Sequence, residues 1–427
     1  MSLQFDPGLL SEAEPVSEED AEAYVASVCF KTGPPYAVGV ELERLVHWRD
    51  DPLRHVRAPD VRAILDPLWN RLPGGGRLTL EPGGQVEISS PCAADLRDLL
   101  PRVRADLAAV DRVLDAASLS CSPLALDPLR PPHRSLEHPR YAAMERHFDA
   151  AGEAGRTMMC STASLQVCLQ AGQSEREARE RWVRAHRLLP VLVAMFANSP
   201  FQNGRPSGWK STRQRVWSRI EPGRTEAVPH RVPAADPSEA WARYALDAPV
   251  LCIRSAAGPW DAPEGLTLRD WLRSRSPRPA TLADVDYHLT TLFPPVRPRG
   301  FLELRTLDAQ AGSDWEAAAV ITTALLDDDA AAAAADDACE GLSPACDSID
   351  GAAIDGAARL GLDDPRLARA AVACAEAVLA ALPRLGLDDM ARRRVERFAE
   401  AYPLRGRCPA DDRLDHRELE RRERGAS

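Results

Sequence analysis

The stretch AVGVELERL, at residues 37–45, carries the alternation typical of a β-strand. Val38, Val40 and Leu42 are apolar, and they alternate with Gly39, Glu41 and Glu43. A strand has a side-chain period of two, so these carboxylates share one face, about 7 Å apart along the chain. An antiparallel sheet with one hydrated face alternates in the same way. This stretch alone therefore leaves both a functional and a structural interpretation open.

Two other stretches repeat the pattern. RLTLEPGGQVEISS, at residues 77–90, has strand character on both sides of a Pro-Gly-Gly turn. The turn brings Glu81 and Glu87 to the same end or face of a hairpin. In GFLELRTL, at residues 300–307, Glu303 lies on the side of the strand opposite to the neighbouring leucines.

Five glutamates therefore occupy polar positions of three separate strand segments. A hydrated sheet face normally mixes polar residue types, because like charges that lie directly opposite each other destabilise a sheet. Divalent cations would remove this repulsion, and carboxylates are the ligands that Mg²⁺ and Mn²⁺ prefer. The glutamates therefore predict a metal site on one face of the sheet.

Several common catalytic motifs are missing from the sequence. The glycine-rich strings at 72–76 and 82–84 match neither the Walker A pattern nor GxGxxG, and they are interpreted as turns. The sequence contains no GxSxG string, and its nine histidines show no grouping. These observations argue against a serine or cysteine nucleophile on the chain.

Composition excludes other classes of protein. The 53 Lys and Arg against 64 Asp and Glu give a net charge of −11, which disfavours a nucleic acid as the main partner. An acidic N-terminus and the lack of a long apolar run predict neither secretion nor membrane insertion. Ten cysteines without a CxxC pair fit reduced thiols in the cytoplasm. Cys160 and Cys168 are interpreted as inert core residues.

We predict a catalytic domain over residues 1–326 and a helical extension over 327–427 that packs on it. The Ala/Asp-rich segment 327–351 fits either a linker or a helix, because alanine is the best helix former. The charged last twenty residues are expected to be frayed. Apolar residues at helical spacing predict amphipathic helices over 17–30, 92–118, 174–199, 363–386 and 388–402.

Six strings, in chain order, resemble a known family. The sequence is similar to the glutamate–cysteine ligases of the plant and actinobacterial type, which are relatives of glutamine synthetase, and within them most similar to the ligases of ergothioneine synthesis. The strings are VGVELE at 38–43, LTLEPGGQVEIS at 78–89, TMMCSTASLQVCL at 157–169, FANSPFQNGRPSGWKSTRQRVW at 196–217, ARYALDAPV at 242–250 and YHLTTLFPPVRPRGFLELR at 287–305.

The resemblance implies an α+β fold with a curved, largely antiparallel sheet, helices packed outside, and an acidic face that holds Mg²⁺ (or Mn²⁺) and ATP. It also implies the substrates L-glutamate, L-cysteine and ATP. The γ-carboxylate of glutamate would attack the γ-phosphate of ATP, and the amine of cysteine would then displace phosphate to give γ-glutamylcysteine. The resemblance leaves the oligomeric state open.

The resemblance also assigns residues. Arg213 would bind the α-carboxylate of glutamate or a phosphate oxygen, because a guanidinium binds both in bidentate fashion. Arg305 would neutralise the transferring phosphoryl group, and Lys210 is placed with it at the nucleotide, although the plant members are apolar there. Each arginine also fits a surface ion pair. The implied metal ligands are Glu41, Glu43, Glu81, Glu87 and Glu303.

The strand predicted for TASLQVCLQ, at residues 162–170, supplies a second polar surface. Thr162, Ser164 and Gln166 share one face of it and are expected to line the amino-acid pocket. Three alternatives stay open: a ligase that joins glutamate to a different amine, a non-catalytic sensor of glutamate or nucleotide, and a metal-dependent hydrolase of γ-glutamyl bonds.

Overall fold

The computed structural model describes residues 14–31, 37–228, 236–342 and 351–426, with side chains as far as residue 419. The predicted sheet is present in these ranges. Its strands, and those of two small two-stranded sheets, are β1 Val38–Arg44, β2 Val46–Trp48, β3 Arg77–Leu80, β4 Val86–Ser89, β5 Leu119–Cys121, β6 Ser164–Gln170, β7 Phe201–Gln202, β8 Arg205–Pro206, β9 Val296–Pro298 and β10 Phe301–Asp308.

Helices make up most of the remaining ordered structure. They are α1 Glu18–Cys29, α2 Ala58–Ile64, α3 Leu96–Ala116, α4 Pro139–Asp149, α5 Ala154–Ser161, α6 Glu175–Met195, α7 Thr212–Trp217, α8 Pro222–Thr225, α9 Pro237–Asp247, α10 Leu268–Ser274, α11 Leu282–Leu289, α12 Asp314–Asp327, α13 Asp329–Cys339, α14 Gly351–Leu360, α15 Pro365–Ala381, α16 Asp389–Ala401 and α17 Pro409–Ala426. No helix in the described ranges combines the length and apolarity that crossing a membrane requires.

The main sheet has six strands in the order β3-β4-β1-β6-β10-β9, and every neighbouring pair is antiparallel. The two small sheets pair β2 with β5 and β7 with β8. The predicted antiparallel sheet with helices packed against it is confirmed. The order also brings together strands that are far apart in sequence, because β1 pairs with β4 on one side and with β6 on the other.

One face of the sheet is apolar and packs against the helices. Val40, Val167 and Leu304 lie opposite one another on three neighbouring strands and are fully or almost fully buried. They belong to one hydrophobic core that also contains residues of α6 and α12. Because strand side chains alternate, burial of this face directs the glutamates of β1 and β10 to the other face.

Polar side chains cap the starts of three helices. The side chain of Ser17 accepts a hydrogen bond from the Asp20 N–H and caps α1, as its sequence predicts. Asp95 and Ser174 cap α3 and α6 in the same way. The predicted helices over 17–30, 92–118 and 174–199 are confirmed, with ends shifted by a few residues.

The turn between β3 and β4 depends on its glycines. Gly84 has a φ of +90°, a conformation that favours glycine. A Cβ on Gly83 would lie 2.1 Å from the carbonyl oxygen of Cys160, so the hairpin packs directly against the backbone of α5. This contact fixes where the hairpin ends, and with it the position of Glu81.

The C-terminal helices share the core of the sheet-bearing part. Residues of α13, α14, α15 and α16 join the same hydrophobic cluster as β1, β6 and β10. The division into 1–326 and 327–427 remains a prediction, and residues 1–13 and 343–350 lie outside the described residues. Residues 329–339 of the Ala/Asp-rich segment form α13. The expectation of a frayed C-terminus is wrong, because α17 continues to Ala426.

Candidate active site

The polar face of the sheet collects glutamates from neighbouring strands. Glu43 on β1 lies directly opposite Glu87 on β4, and Glu41 lies opposite Gln166 on β6. On β10, Glu303 lies opposite Cys168. The strand order therefore brings together residues that are more than 250 positions apart in the sequence.

Protein donors satisfy two of these carboxylates. Glu43 accepts hydrogen bonds from the backbone N–H of Ser164, at 2.7 Å, and from Nε2 of Gln166, at 3.2 Å. Glu87 accepts from the hydroxyls of Thr79, at 2.5 Å, and Ser89, at 3.3 Å. These bonds orient the carboxylates without supplying positive charge. Glu43 and Glu87 thus remain a directly opposed pair of acidic side chains.

Burial and mutual repulsion raise the pKa values of several acids. Burial, and then the charges of Glu303 and Glu87, raise the pKa of Glu41 to about 7. Burial and Glu43 raise the pKa of Glu87, and burial with Glu87 and Glu43 raises the pKa of Glu81 well above its ordinary value. At these carboxylates burial and mutual repulsion outweigh the nearby arginine charges.

Glu303 is different because arginines surround it. Burial alone would raise its pKa, but the charges of Arg297 and Arg305 lower it to about 2. Its Oε2 accepts from Arg297 Nε at 2.6 Å and from Arg305 at 3.0 Å. Within the described residues its buried Oε1 accepts no hydrogen bond, and Arg299 lies 3.7 Å from it. One oxygen of an ionised carboxylate is thus left for another ligand.

The residues fit a divalent cation. Glu41, Cys168 and Glu303 each place one ligand atom within 4.8 Å of the others. The unbonded Glu303 Oε1 and the raised pKa of Glu41 are what a carboxylate site shows without its cation. The carboxylates are hard oxygen ligands suited to Mg²⁺ or Mn²⁺.

Arg305 extends over the same face. Besides Glu303, it donates a hydrogen bond to Oε1 of Gln166 at 2.5 Å, and its Cζ lies 5.9 Å from the ring centroids of both Trp217 and Phe293. Its buried Nε has no hydrogen-bond partner. A guanidinium held in this way, with a donor unused, suits an anionic ligand.

Arg213 lies at the start of α7 and is almost completely buried. Its terminal nitrogens donate to the carbonyl oxygens of Arg305, at 2.9 Å, and Thr306, at 3.4 Å. It also lies 3.7 Å from a carboxylate oxygen of Asp308. Its Nε is buried without a hydrogen-bond partner. The two arginines are therefore neighbours, although 92 residues separate them.

Asp308 holds the segment that leads to Arg213. Its side chain is fully buried and accepts hydrogen bonds from Asn198 N–H at 2.8 Å, Ser199 Oγ at 2.7 Å and Ser211 Oγ at 2.9 Å. Ser199 Oγ in turn accepts from the N–H of Arg213. The last residue of β10 thus connects the sheet to both ends of the 198–213 segment.

Two predicted site residues lie elsewhere. Thr162 precedes the strand, and its hydroxyl donates to the carbonyl oxygen of Met158 on α5, so it does not share the face of Ser164 and Gln166. Lys210 forms ion pairs with Asp363, at 3.1 Å, and with Asp411. Its ammonium is held by the C-terminal helical region and not by the polar face.

Three residues of this face escaped the sequence interpretation. Cys168 was placed in the core, although it continues the alternation of Ser164 and Gln166. Arg297 was not assigned a role, although in a strand over Val296–Pro298 its side chain lies on the opposite face from those of its two neighbours, and the sheet pairs it with Glu303. Asp308 was missed because a β-bulge lies between Leu304 and Leu307 and reverses the alternation. The three-residue spacing of these leucines was the available signal.

The fold and this face define a class of protein, in which an antiparallel sheet offers carboxylates to cations and guanidinium groups to anions. A family model described as glutamate-cysteine ligase family 2 matches residues 37–426. The chain is 39% identical over 419 residues to the glutamate–cysteine ligase EgtA of Mycobacterium tuberculosis, which covers 96% of this chain and 93% of that protein. This chain belongs to glutamate-cysteine ligase family 2.

Other relatives agree. Identity is 40% over 381 residues to EgtA of Mycolicibacterium smegmatis, covering 88% of this chain and 87% of that protein. Identity is 29% over 323 residues to the chloroplastic glutamate–cysteine ligase A of Oryza sativa subsp. indica, covering 71% of this chain and 64% of that protein. The crystal structure of the Francisella tularensis glutamate–cysteine ligase in complex with AMP superposes with a TM-score of 0.53 at 13% identity, over 90% of this chain and 85% of that one, so it shares the fold.

Proposed function

We propose that this protein joins the γ-carboxylate of L-glutamate to the amine of L-cysteine, with ATP converted to ADP and phosphate, to give γ-glutamylcysteine. Its family and the activity named for its EgtA relatives support this reaction. The product would supply ergothioneine or another low-molecular-weight thiol, and a cytoplasmic location fits the sequence composition.

One observation carries the chemistry: acids that repel one another lie beside an arginine with an unused donor. Glu43 and Glu87 are directly opposed, and Arg305 lies on the same face with a buried, unbonded Nε. Cations and a polyanion together would satisfy both groups. A nucleoside triphosphate with divalent cations has this combination of charges.

A carboxylate does not react with an amine at neutral pH, so glutamate must first be activated. Phosphoryl transfer to the γ-carboxylate supplies a leaving group, and attack by the cysteine amine then expels phosphate. Divalent cations held by this face would offset the charge that builds up during transfer. We assign this binding to Glu41, Glu43, Glu81, Glu87 and Glu303, with Mg²⁺ expected and Mn²⁺ possible.

The remaining residues position the substrates. Arg305 would contact the transferring phosphoryl group, since Glu303 and Gln166 fix its guanidinium. Arg213 would bind the α-carboxylate of glutamate through its unbonded Nε. Ser164 and Gln166 would shape the pocket indirectly, because both already bond to Glu43. Thr162 and Lys210 have no part in this proposal.

The decisive experiment measures ADP release with Mg²⁺, glutamate and a panel of amines, followed by mass spectrometry of the product. Release that depends on cysteine and yields γ-glutamylcysteine supports the proposal. Preference for another amine would indicate a different ligase of the same superfamily. ATP-independent cleavage of γ-glutamyl bonds would indicate a hydrolase, and nucleotide binding without turnover would indicate a sensor.

A matched pair of variants separates chemistry from folding. Glu303→Gln should lower turnover at least about tenfold, or about 1.4 kcal/mol of barrier. Glu316→Gln is the control, because Glu316 is equally buried and pairs with Arg104 and Arg394 away from the polar face. Both variants remove a buried acid from a pair of arginines. Equal losses of turnover would assign Glu303 a structural role only.

The order of steps can be tested with a sulfoximine analogue of the γ-glutamyl transfer intermediate. The analogue should be phosphorylated on the enzyme and bind tightly, because it resembles the transition state more than glutamate does. With γ-labelled ATP, the label should leave with the small molecules after denaturation. Label retained covalently on the protein would contradict direct transfer to glutamate.

A further inference from the structure

Cys168 lies in the middle of the polar face, where the mechanism above gives it no task. On β6 it faces Gly39 of β1 on one side and Glu303 of β10 on the other. A Cβ on Gly39 would be in van der Waals contact with the Cβ of Cys168, at 3.8 Å, and the glycine leaves that volume free beside Cys168. Cys168 is only partly buried and forms no disulfide.

Three ligand atoms meet at this point. The Cys168 sulfur and one oxygen each from Glu41 and Glu303 lie within 4.8 Å of one another. In a tetrahedral zinc site, bonds of about 2.0–2.3 Å place neighbouring ligand atoms about 3.5 Å apart. Small side-chain rotations would therefore bring the three atoms onto one ion.

The state of Glu303 is an independent sign that the cluster suits a cation. The side chain is fully buried, and in the part of the chain that the structure describes its Oε1 accepts no hydrogen bond, with Arg299 3.7 Å away. Its other oxygen is held by Arg297 and Arg305, which fixes the carboxylate in place. A buried acceptor without a partner is costly. A cation at the cluster would satisfy this oxygen.

The donor set separates two kinds of cation. Mg²⁺ takes oxygen ligands and has little affinity for sulfur, so it would use the carboxylates and leave the thiol protonated. Zinc-group ions bind thiolate sulfur and carboxylate oxygen together. We infer that Glu41, Cys168 and Glu303 form a binding site for a thiophilic divalent cation, with one thiolate and two carboxylates as ligands and the thiol proton released to solvent.

This site would overlap the magnesium-binding part of the face. An ion held by the Cys168 thiolate would occupy Glu41 and Glu303 and exclude Mg²⁺ from them. Zinc-group ions should therefore inhibit the ligase. This consequence rests on the proposed function, whereas cation binding does not.

Cobalt(II) is the probe, because a thiolate-to-cobalt charge-transfer band reports sulfur ligation directly. The reduced full-length chain is titrated with cobalt(II) in the absence of ATP, glutamate and cysteine. One equivalent should bind with this band, and zinc(II) should abolish it by displacement. Cys168→Ser should remove the band and weaken binding at least about tenfold. Cys92→Ser is the matched control, because Cys92 is exposed and lies outside the cluster.

The outcomes distinguish the two proposals. A band that survives in Cys168→Ser, disappears in Cys92→Ser, or is absent from the parent chain overturns the cation site. If the band is absent and ligation proceeds, the cation site fails and the proposed function stands. If the band follows Cys168 but the chain releases no ADP with any amine, the cation site stands and the function fails. Should Cys168→Ser not fold, Glu41→Gln must weaken cobalt binding instead.

Discussion

Asp308→Asn should separate the positioning of Arg213 from the stability of the fold. The substitution keeps the size of the side chain and removes its charge. Asparagine can still accept the bonds from Asn198 and Ser199 with its one oxygen. Its amide nitrogen must then face Ser211 and Arg213, where the guanidinium now meets another donor. The substitution therefore acts mainly on the arginine.

The size of the effect follows from the contacts. Removing one partner from a buried ion pair costs about 3–5 kcal/mol. At 3.7 Å the Asp308–Arg213 contact is long, and two carbonyl oxygens also hold the arginine. We therefore expect a loss of about 2 kcal/mol in the free energy of unfolding. We expect the KM for glutamate to rise about tenfold, which corresponds to about 1.4 kcal/mol.

The assay combines urea unfolding with steady-state kinetics in which each substrate is varied. Asp327→Asn is the matched control, because Asp327 pairs with buried Arg181 in the helical layer, away from the polar face. Both variants should lose stability, and only Asp308→Asn should raise the KM for glutamate. If the KM is unchanged, or rises equally in the control, Asp308 does not position Arg213 for glutamate.

Four further predictions test the site and its surroundings. Glu41 has a raised pKa and holds its proton below about pH 7, so Mg²⁺ affinity measured by calorimetry should fall from about pH 8 to pH 6. Glu41→Gln should flatten this pH dependence. Equal pH dependence of Mg²⁺ affinity in the variant and the parent chain would contradict the prediction. Arg213→Lys keeps the charge but loses the Nε donor and the planar guanidinium that two carbonyl oxygens hold, so the KM for glutamate should rise more than that for cysteine. A change confined to the KM for ATP would indicate that Arg213 is a phosphate ligand. Lys210→Met should lower the free energy of unfolding by about 1–2 kcal/mol and leave the KM for ATP unchanged. A large rise in the KM for ATP would indicate that Lys210 contacts the nucleotide. Gly83→Ala should lower the melting temperature by several degrees, because its Cβ meets the backbone of α5, and an unchanged value would mean that the hairpin can shift freely.

The sequence predicted the parts of the site that depend on strand alternation. The period of two in β1 fixed which face Glu41 and Glu43 share, and it held for Ser164 and Gln166. Alternation cannot show where a strand begins, and Thr162 was therefore misplaced, since its hydroxyl belongs to the end of α5. It also cannot predict a bulge, which is why Asp308 was missed.

Long-range pairing lay beyond the sequence pattern. Nothing local shows that Lys210 meets Asp411, which lies 201 residues further along the chain. In the C-terminal region, the carbonyl oxygens of Arg359 and Ala358 also accept hydrogen bonds from the backbone N–H groups of Lys210 and Ser211 respectively. These contacts arise from packing of the C-terminal helices against the loop before α7. The prediction that Lys210 binds nucleotide assumed that a lysine beside a family motif faces the ligand.

The charges of the polar face explain why its acids tolerate one another. Glu303, beside Arg297 and Arg305, keeps a low pKa and stays ionised. At Glu41 and Glu87 burial and neighbouring acids outweigh the arginine charges, and the raised pKa values mean that protons reduce the repulsion when no cation is bound. A cation that binds Glu41 must displace a proton, whereas at Glu303 it meets an oxygen that is already charged and unbonded. Cation binding should therefore begin at Glu303 and release protons as it extends to Glu41, which couples occupation of the face to pH without a dedicated histidine.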